Sequence, residues 1–99
     1  MRIFHFSEQP FPKAWVPENP SIRVVLPNAH CDPKELADLY HQRLDEWLLA
    51  DELGLDIMIN EHHATATCVC PVAAIPLAVL ARQTRRARIL TLDRKSTRL

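Results

Sequence analysis

The sequence predicts an α/β fold in the order β-loop-α-β-loop-α-β. Three observations carry this. Short apolar or aromatic runs near residues 2–7, 55–60 and 89–92 alternate with two segments of helical periodicity. The first helical segment runs straight into the second strand through Gly54, the chain's single glycine. The polar, chemically varied segments follow the strands instead. Alternation of this kind implies parallel pairing through right-handed crossovers. The C-terminal ends of the strands are then the rim where α/β folds carry their chemistry.

The elements follow in order. Ile3, Phe4 and Phe6 make residues 2–7 a short aromatic strand. Between Glu8 and Cys31, five prolines (Pro10, Pro12, Pro17, Pro20 and Pro27) each remove a backbone donor and fix φ, so no long helix forms there. Within that stretch Ile22-Arg23-Val24-Val25-Leu26 is a β-like patch. Asp32 is a helix cap, Pro33 suits the first helical position, and Glu35 completes a D-x-x-E capping box. Leu36, Leu39, Tyr40, Leu44, Trp47, Leu48 and Leu53 recur mostly at three- or four-residue steps and form one buried face. Gly54 stands where a left-handed C-terminal cap is needed. Residues 55–60 are short and mostly apolar, as in a buried parallel strand. A second helix covers about 72–84, carrying Ile75, Leu77, Val79 and Leu80, with Pro76 pushing its start later. Arg85, Arg86 and Arg88 place positive charge past its end, where the helix dipole favours it. Residues 89–92 are the third strand.

Composition narrows the classes. Of 99 residues, 47% are hydrophobic and 24% charged, which is globular rather than disordered. Twelve basic and twelve acidic residues give no net charge, against the basic face of a nucleic-acid or membrane-surface protein. No apolar run approaches the roughly 20 residues that span a bilayer, and the N-terminus lacks a signal-peptide core. The reading is a cytoplasmic protein without nucleic-acid or membrane partners. Three cysteines, Cys31, Cys68 and Cys70, do not suggest a disulfide framework. Residues 1–92 read as one domain portion. Residues 93–99 read as a charged tail whose Arg-Lys-Ser-Thr-Arg-Leu wording looks like translated sequencing adapter.

Most reactive side chains fall in Asn60-Glu61-His62-His63-Ala64-Thr65-Ala66-Thr67-Cys68-Val69-Cys70. A carboxylate beside two imidazoles offers acid/base chemistry near neutral pH. His62, His63, Cys68 and Cys70 are also zinc-type ligands, but adjacent histidines diverge on extended chain and C-x-C is tighter than the usual spacing. A third reading is a polar loop with hydrogen-bonded histidines and packed cysteines. His5 and Glu8 flank the end of the first strand and could line the same rim. His30 lies beside the first helix cap with no visible partner, and His41 falls within that helix. Glycine-rich phosphate loops and nucleophile elbows are absent from the sequence.

The block Leu49-Ala50-Asp51-Glu52-Leu53-Gly54-Leu55-Asp56, joined to Asn60-Glu61-His62-His63 and then to Ala81-Arg82-Gln83-Thr84, resembles the luciferase-like flavin-dependent monooxygenases. The resemblance covers residues 1 to about 92. It implies the N-terminal βαβαβ portion of a TIM-type (β/α)8 barrel, incomplete at this length, since such barrels take about 250 residues. It implies reduced FMN as cofactor (or the deazaflavin of some relatives), O2 as co-substrate and a small organic substrate. It also implies a separate flavin reductase and a homo-oligomeric full-length parent. His62 matches the family's active-site acid/base histidine, and Glu61 and His63 match the same motif with roles that vary among members. Cofactor-binding residues are not assignable from these motifs, and no metal is expected. The alternatives are a metal- or acid/base-dependent hydrolase on the same barrel and a non-catalytic fragment.

Overall fold

The computed structural model describes residues 1–14, 31–63 and 68–92. The 22–26 patch, His30, residues 64–67 and the 93–99 tail lie outside them. Three strands, β1 (Phe4–Ser7), β2 (Asp56–Asn60) and β3 (Ile89–Leu92), form a parallel sheet in the order β1-β2-β3. Helix α1 (Pro33–Glu52) joins β1 to β2, and α2 (Ala74–Gln83) joins β2 to β3. One turn of 3-10 helix, Pro12–Ala14, follows β1. The alternating α/β order is therefore present, with β2 central. No helix among the described residues is long and apolar enough to cross a membrane.

Helix α1 starts as its sequence dictates. Asp32 keeps an extended backbone and its Oδ1 accepts from the Lys34 and Glu35 N–H groups at 2.8 and 3.0 Å. Only half of the expected capping box forms, because the Glu35 carboxylate pairs with Lys13 Nζ on the 3-10 turn instead. The helix ends in a Schellman motif. Leu55 N–H donates to the Ala50 carbonyl at 2.9 Å, and Gly54 N–H to the Asp51 carbonyl at 3.1 Å. This turn sets Gly54 at φ 77°, which glycine adopts without a Cβ penalty. Leu53, expected on the buried face, is 68% exposed, because it lies at the cap where the chain leaves the helix. Pro76 falls in the first turn of α2, where its missing N–H would have no helical partner anyway.

Both helices pack on one face of the sheet. The core is Trp47 and Ala50 of α1, Ile57 and Ile59 of β2, Leu80 of α2, and Cys68, Cys70 and Ala73 between them. Leu80 is in this core, while Ile75 of the same helix is exposed. The opposite face is also apolar. Phe6, Met58 and Leu90 stand in register across the three strands, and Phe6 and Leu90 are each 43% exposed. Parallel sheets ordinarily bury both faces.

The N-terminal ends of the strands are held by two aspartates of the Leu49–Asp56 block. Asp51 is buried at the end of α1. Its Oδ2 accepts from Arg85 N–H at 2.9 Å, and its Oδ1 accepts from Arg86 and Ala87 N–H at 2.8 and 2.6 Å. Asp56 continues the series, accepting from Arg88 N–H at 2.9 Å on Oδ1 and from Arg2 Nη1 at 3.1 Å on Oδ2. The segment after α2 therefore matters through its backbone as well as its charge.

These bonds stabilise the ionised carboxylates. Asp51 is held below its ordinary 3.8, chiefly by the Arg85 N–H, and Asp56 below the same value, chiefly by the Arg88 N–H. A folded-state pKa below the unfolded one contributes stability that is present above about pH 3.8 and is lost as pH falls through the lowered value. Asp51→Asn is expected to speed amide exchange at Arg85, Arg86 and Ala87 at neutral pH while Lys34 and Glu35 amides stay as in the parent. The stability difference between variant and parent should shrink as pH drops below that window. Unchanged exchange at all three amides would contradict the assignment.

Candidate functional site

The expected site residues emerge from the C-terminal end of β2. Asn60 is its last residue and is buried, whereas His62 and His63 are exposed. The two histidines have different partners. Asn60 Nδ2 lies 3.2 Å from His62 Nδ1, and Glu61 Oε1 lies 2.9 Å from His63 Nε2. Glu61 also reaches α2, where its Oε2 accepts from Ala73 N–H at 2.9 Å. Ala73 is the N-cap of α2 and has no side-chain oxygen to serve the orphan donors there. The carboxylate fills that role, and a negative charge suits a helix N-terminus. Behind Asn60 lies Cys68, whose Sγ is 3.5 Å from Asn60 Oδ1. The structure thus brings Glu61, His62 and His63 together at one strand end.

The loop carrying this cluster is pinned from three sides. His62 N–H donates to the Cys70 carbonyl at 3.2 Å. Val69 N–H donates to the Gln9 carbonyl at 3.0 Å, and the Val69 carbonyl accepts from the Tyr40 hydroxyl of α1. Gln9, just past β1, is fully buried and adopts a left-handed φ of 51°, with its side chain beside the Cys70 thiol. A non-glycine residue there costs about 1–2 kcal/mol, so surrounding structure must impose it. Sequence reasoning passed over Gln9 and Tyr40. The signal at Gln9 was a polar residue before proline at the end of a strand. Tyr40 read only as part of an apolar helix face.

The other candidate histidines are placed elsewhere. His5 is in register with Ile57, so it belongs to the helix-covered side of the sheet, and its Nε2 is buried without a partner among the described residues. Glu8 is exposed at the rim and its charge acts on Cys68. His41 is exposed on α1. Among the described residues no three His, Cys, Asp or Glu side chains are grouped to hold a metal ion. No protein-family model, curated protein or solved structure matches this chain.

Cys68 and Cys70 are packed in the core rather than presented to the rim. Burial pushes both thiols up, so less thiolate exists at a given pH than for a free cysteine. Cys31 is only partly buried. An aromatic disulfide reagent at about pH 8, near the ordinary thiol range, should therefore label Cys31 first. Cys68 and Cys70 should react only after denaturant is added. Three thiols reacting at one fast rate would contradict the packing described.

Proposed function

We propose that this chain is the N-terminal βαβαβ portion of a (β/α)8 barrel acting as a luciferase-like, flavin-dependent monooxygenase on a small organic substrate. The observation that carries the reading is the Asn60-Glu61-His62-His63 cluster at the C-terminal end of the central parallel strand. That is the rim where barrel enzymes hold their catalytic groups. The sequence resemblance rests on the same motif. The uncovered apolar face supports the barrel reading, since a closed barrel would bury it as its interior.

Reduced FMN joins a phosphate to a ring system that is apolar at its dimethylbenzene end and polar at its pyrimidine end, and the residues present fit the apolar end. Phe6 and Leu92 are apolar, 43% and 44% exposed, and share the open face with Asn60 next to the rim. They would hold the ring's apolar surface. Bound there, reduced flavin would supply the electrons that activate O2. The chain's own part is to orient the ligands and move a proton. His62 is exposed, fixed by Asn60 and of a type that exchanges protons near neutral pH, so it is the acid/base residue. Glu61 orients His63. A reductase and a homo-oligomeric parent belong to this reading as well.

The test uses the protein encoded by the complete reading frame, titrated anaerobically with reduced FMN. Saturable binding is expected, and no binding would sink the flavin reading. Losing a positioned acid/base group typically costs about 10²–10⁴ in rate. His62→Ala should lower turnover by that order while reduced-FMN affinity changes less than about tenfold, or 1.4 kcal/mol. His63→Ala, whose partner is different, should show a smaller loss. Equal losses at both positions, or none at His62, would remove His62 from this role.

A further inference from the structure

Asn60 is buried, yet both ends of its side-chain amide are engaged. The Cys68 thiol can reach only its oxygen as donor, at 3.5 Å, which leaves the amide nitrogen toward His62 Nδ1, at 3.2 Å. An amide nitrogen carries hydrogens and no usable lone pair, so His62 Nδ1 must accept. In a neutral imidazole the hydrogen is then on Nε2. His63 is engaged through the other nitrogen. Its Nε2 meets a carboxylate oxygen, which only accepts, so Nε2 carries the hydrogen and Nδ1 keeps its lone pair.

We propose that Asn60, oriented by the Cys68 thiol, is a positioning residue that fixes His62 as its Nε2–H tautomer. The two neighbouring imidazoles then share one tautomer but expose opposite ends: an N–H donor at His62 and a lone-pair acceptor at His63. A site wired this way takes a ligand with an acceptor oxygen beside an ionisable O–H or N–H. His62 gives a hydrogen bond through Nε2–H, and His63, backed by Glu61, accepts one at Nδ1. Burial keeps the Cys68 sulfur in the protonated form that the relay requires. The assignment does not use the flavin reading, and a failed flavin titration leaves it standing.

The test is long-range proton–nitrogen correlation NMR of the full chain, recorded at an alkaline pH at which the spectra show both imidazoles neutral. His62 should show a bare Nδ1 and a protonated Nε2. Asn60→Asp replaces the donor by an acceptor and should move the hydrogen to Nδ1, with the His63 pattern unchanged. A merely structural role for Asn60 would not reverse a tautomer. Should Asn60→Asp fail to fold, the Cys68 pair decides. Cys68→Ala frees the amide to turn and should give a mixture at His62, and Cys68→Ser keeps a donor and should restore the parent pattern. A protonated Nδ1 in the parent, an unchanged tautomer in Asn60→Asp, or a parent-like pattern in Cys68→Ala would overturn the proposal.

Discussion

Four successive amide groups, from Arg85 to Arg88, donate to two carboxylates, and the register of the sheet depends on that capture. Among the described residues these four N–H groups have no helix or strand carbonyl as partner. Without Asp51 and Asp56 these N–H groups would have to turn to water. With them, the chain leaving α2 is aimed at β2. The Arg88 carbonyl then accepts from Ile57 N–H at 2.8 Å, and β3 begins one residue later. Asp56 also holds Arg2 across the other edge, where its own N–H donates to the Ile3 carbonyl. One aspartate thus touches both neighbours of β2.

Strand β2 has buried aspartates about its N-terminal end and the Glu61-His62-His63 cluster past its C-terminal end. At its N-terminal end, aspartates are consumed by backbone donors and held ionised. At its C-terminal end, Glu61 spends one oxygen on the α2 N-terminus and one on His63, and the imidazoles stay exposed. The strand between them is buried at Ile57 and Ile59 against the helices. Tyr40 and Gln9 clamp the two backbone groups of Val69, so the loop carrying the histidines is referenced to α1 and β1 as well. A rigid base and a pinned rim are what a positioned acid/base group needs.

Much of the fold was legible in local chemistry. Asp32, Pro33 and Gly54 marked the ends of α1 because caps are short-range effects. The residues of β3 were evident from their apolar run. The 61–63 cluster was evident too, because a carboxylate beside two imidazoles is rare enough to notice. Other features were not legible because they depend on contacts distant in sequence. Asp51 meets residues 34–36 positions away, and no periodicity announces a carboxylate buried under a later turn. The aspartates were visible only as letters of a motif. Leu53 looked like core because helical spacing does not report where a cap turns the chain outward. Glu35 fitted a capping box, but a lysine on the 3-10 turn competed for it. Asn60 looked like the end of a strand, and its role depends on Cys68, eight residues on.

Asp51 holds the fold about the N-terminal end of β2, whereas the proposed reading needs His62, past the other end, to be dispensable for folding. Equilibrium urea unfolding of Asp51→Asn and His62→Ala beside the parent chain tests this contrast most directly. Exposed surface substitutions ordinarily change stability by no more than about 0.5 kcal/mol. The account predicts that His62→Ala stays within that band and that Asp51→Asn unfolds at clearly lower urea. A His62→Ala midpoint as low as that of Asp51→Asn would make His62 a structural residue and contradict the account.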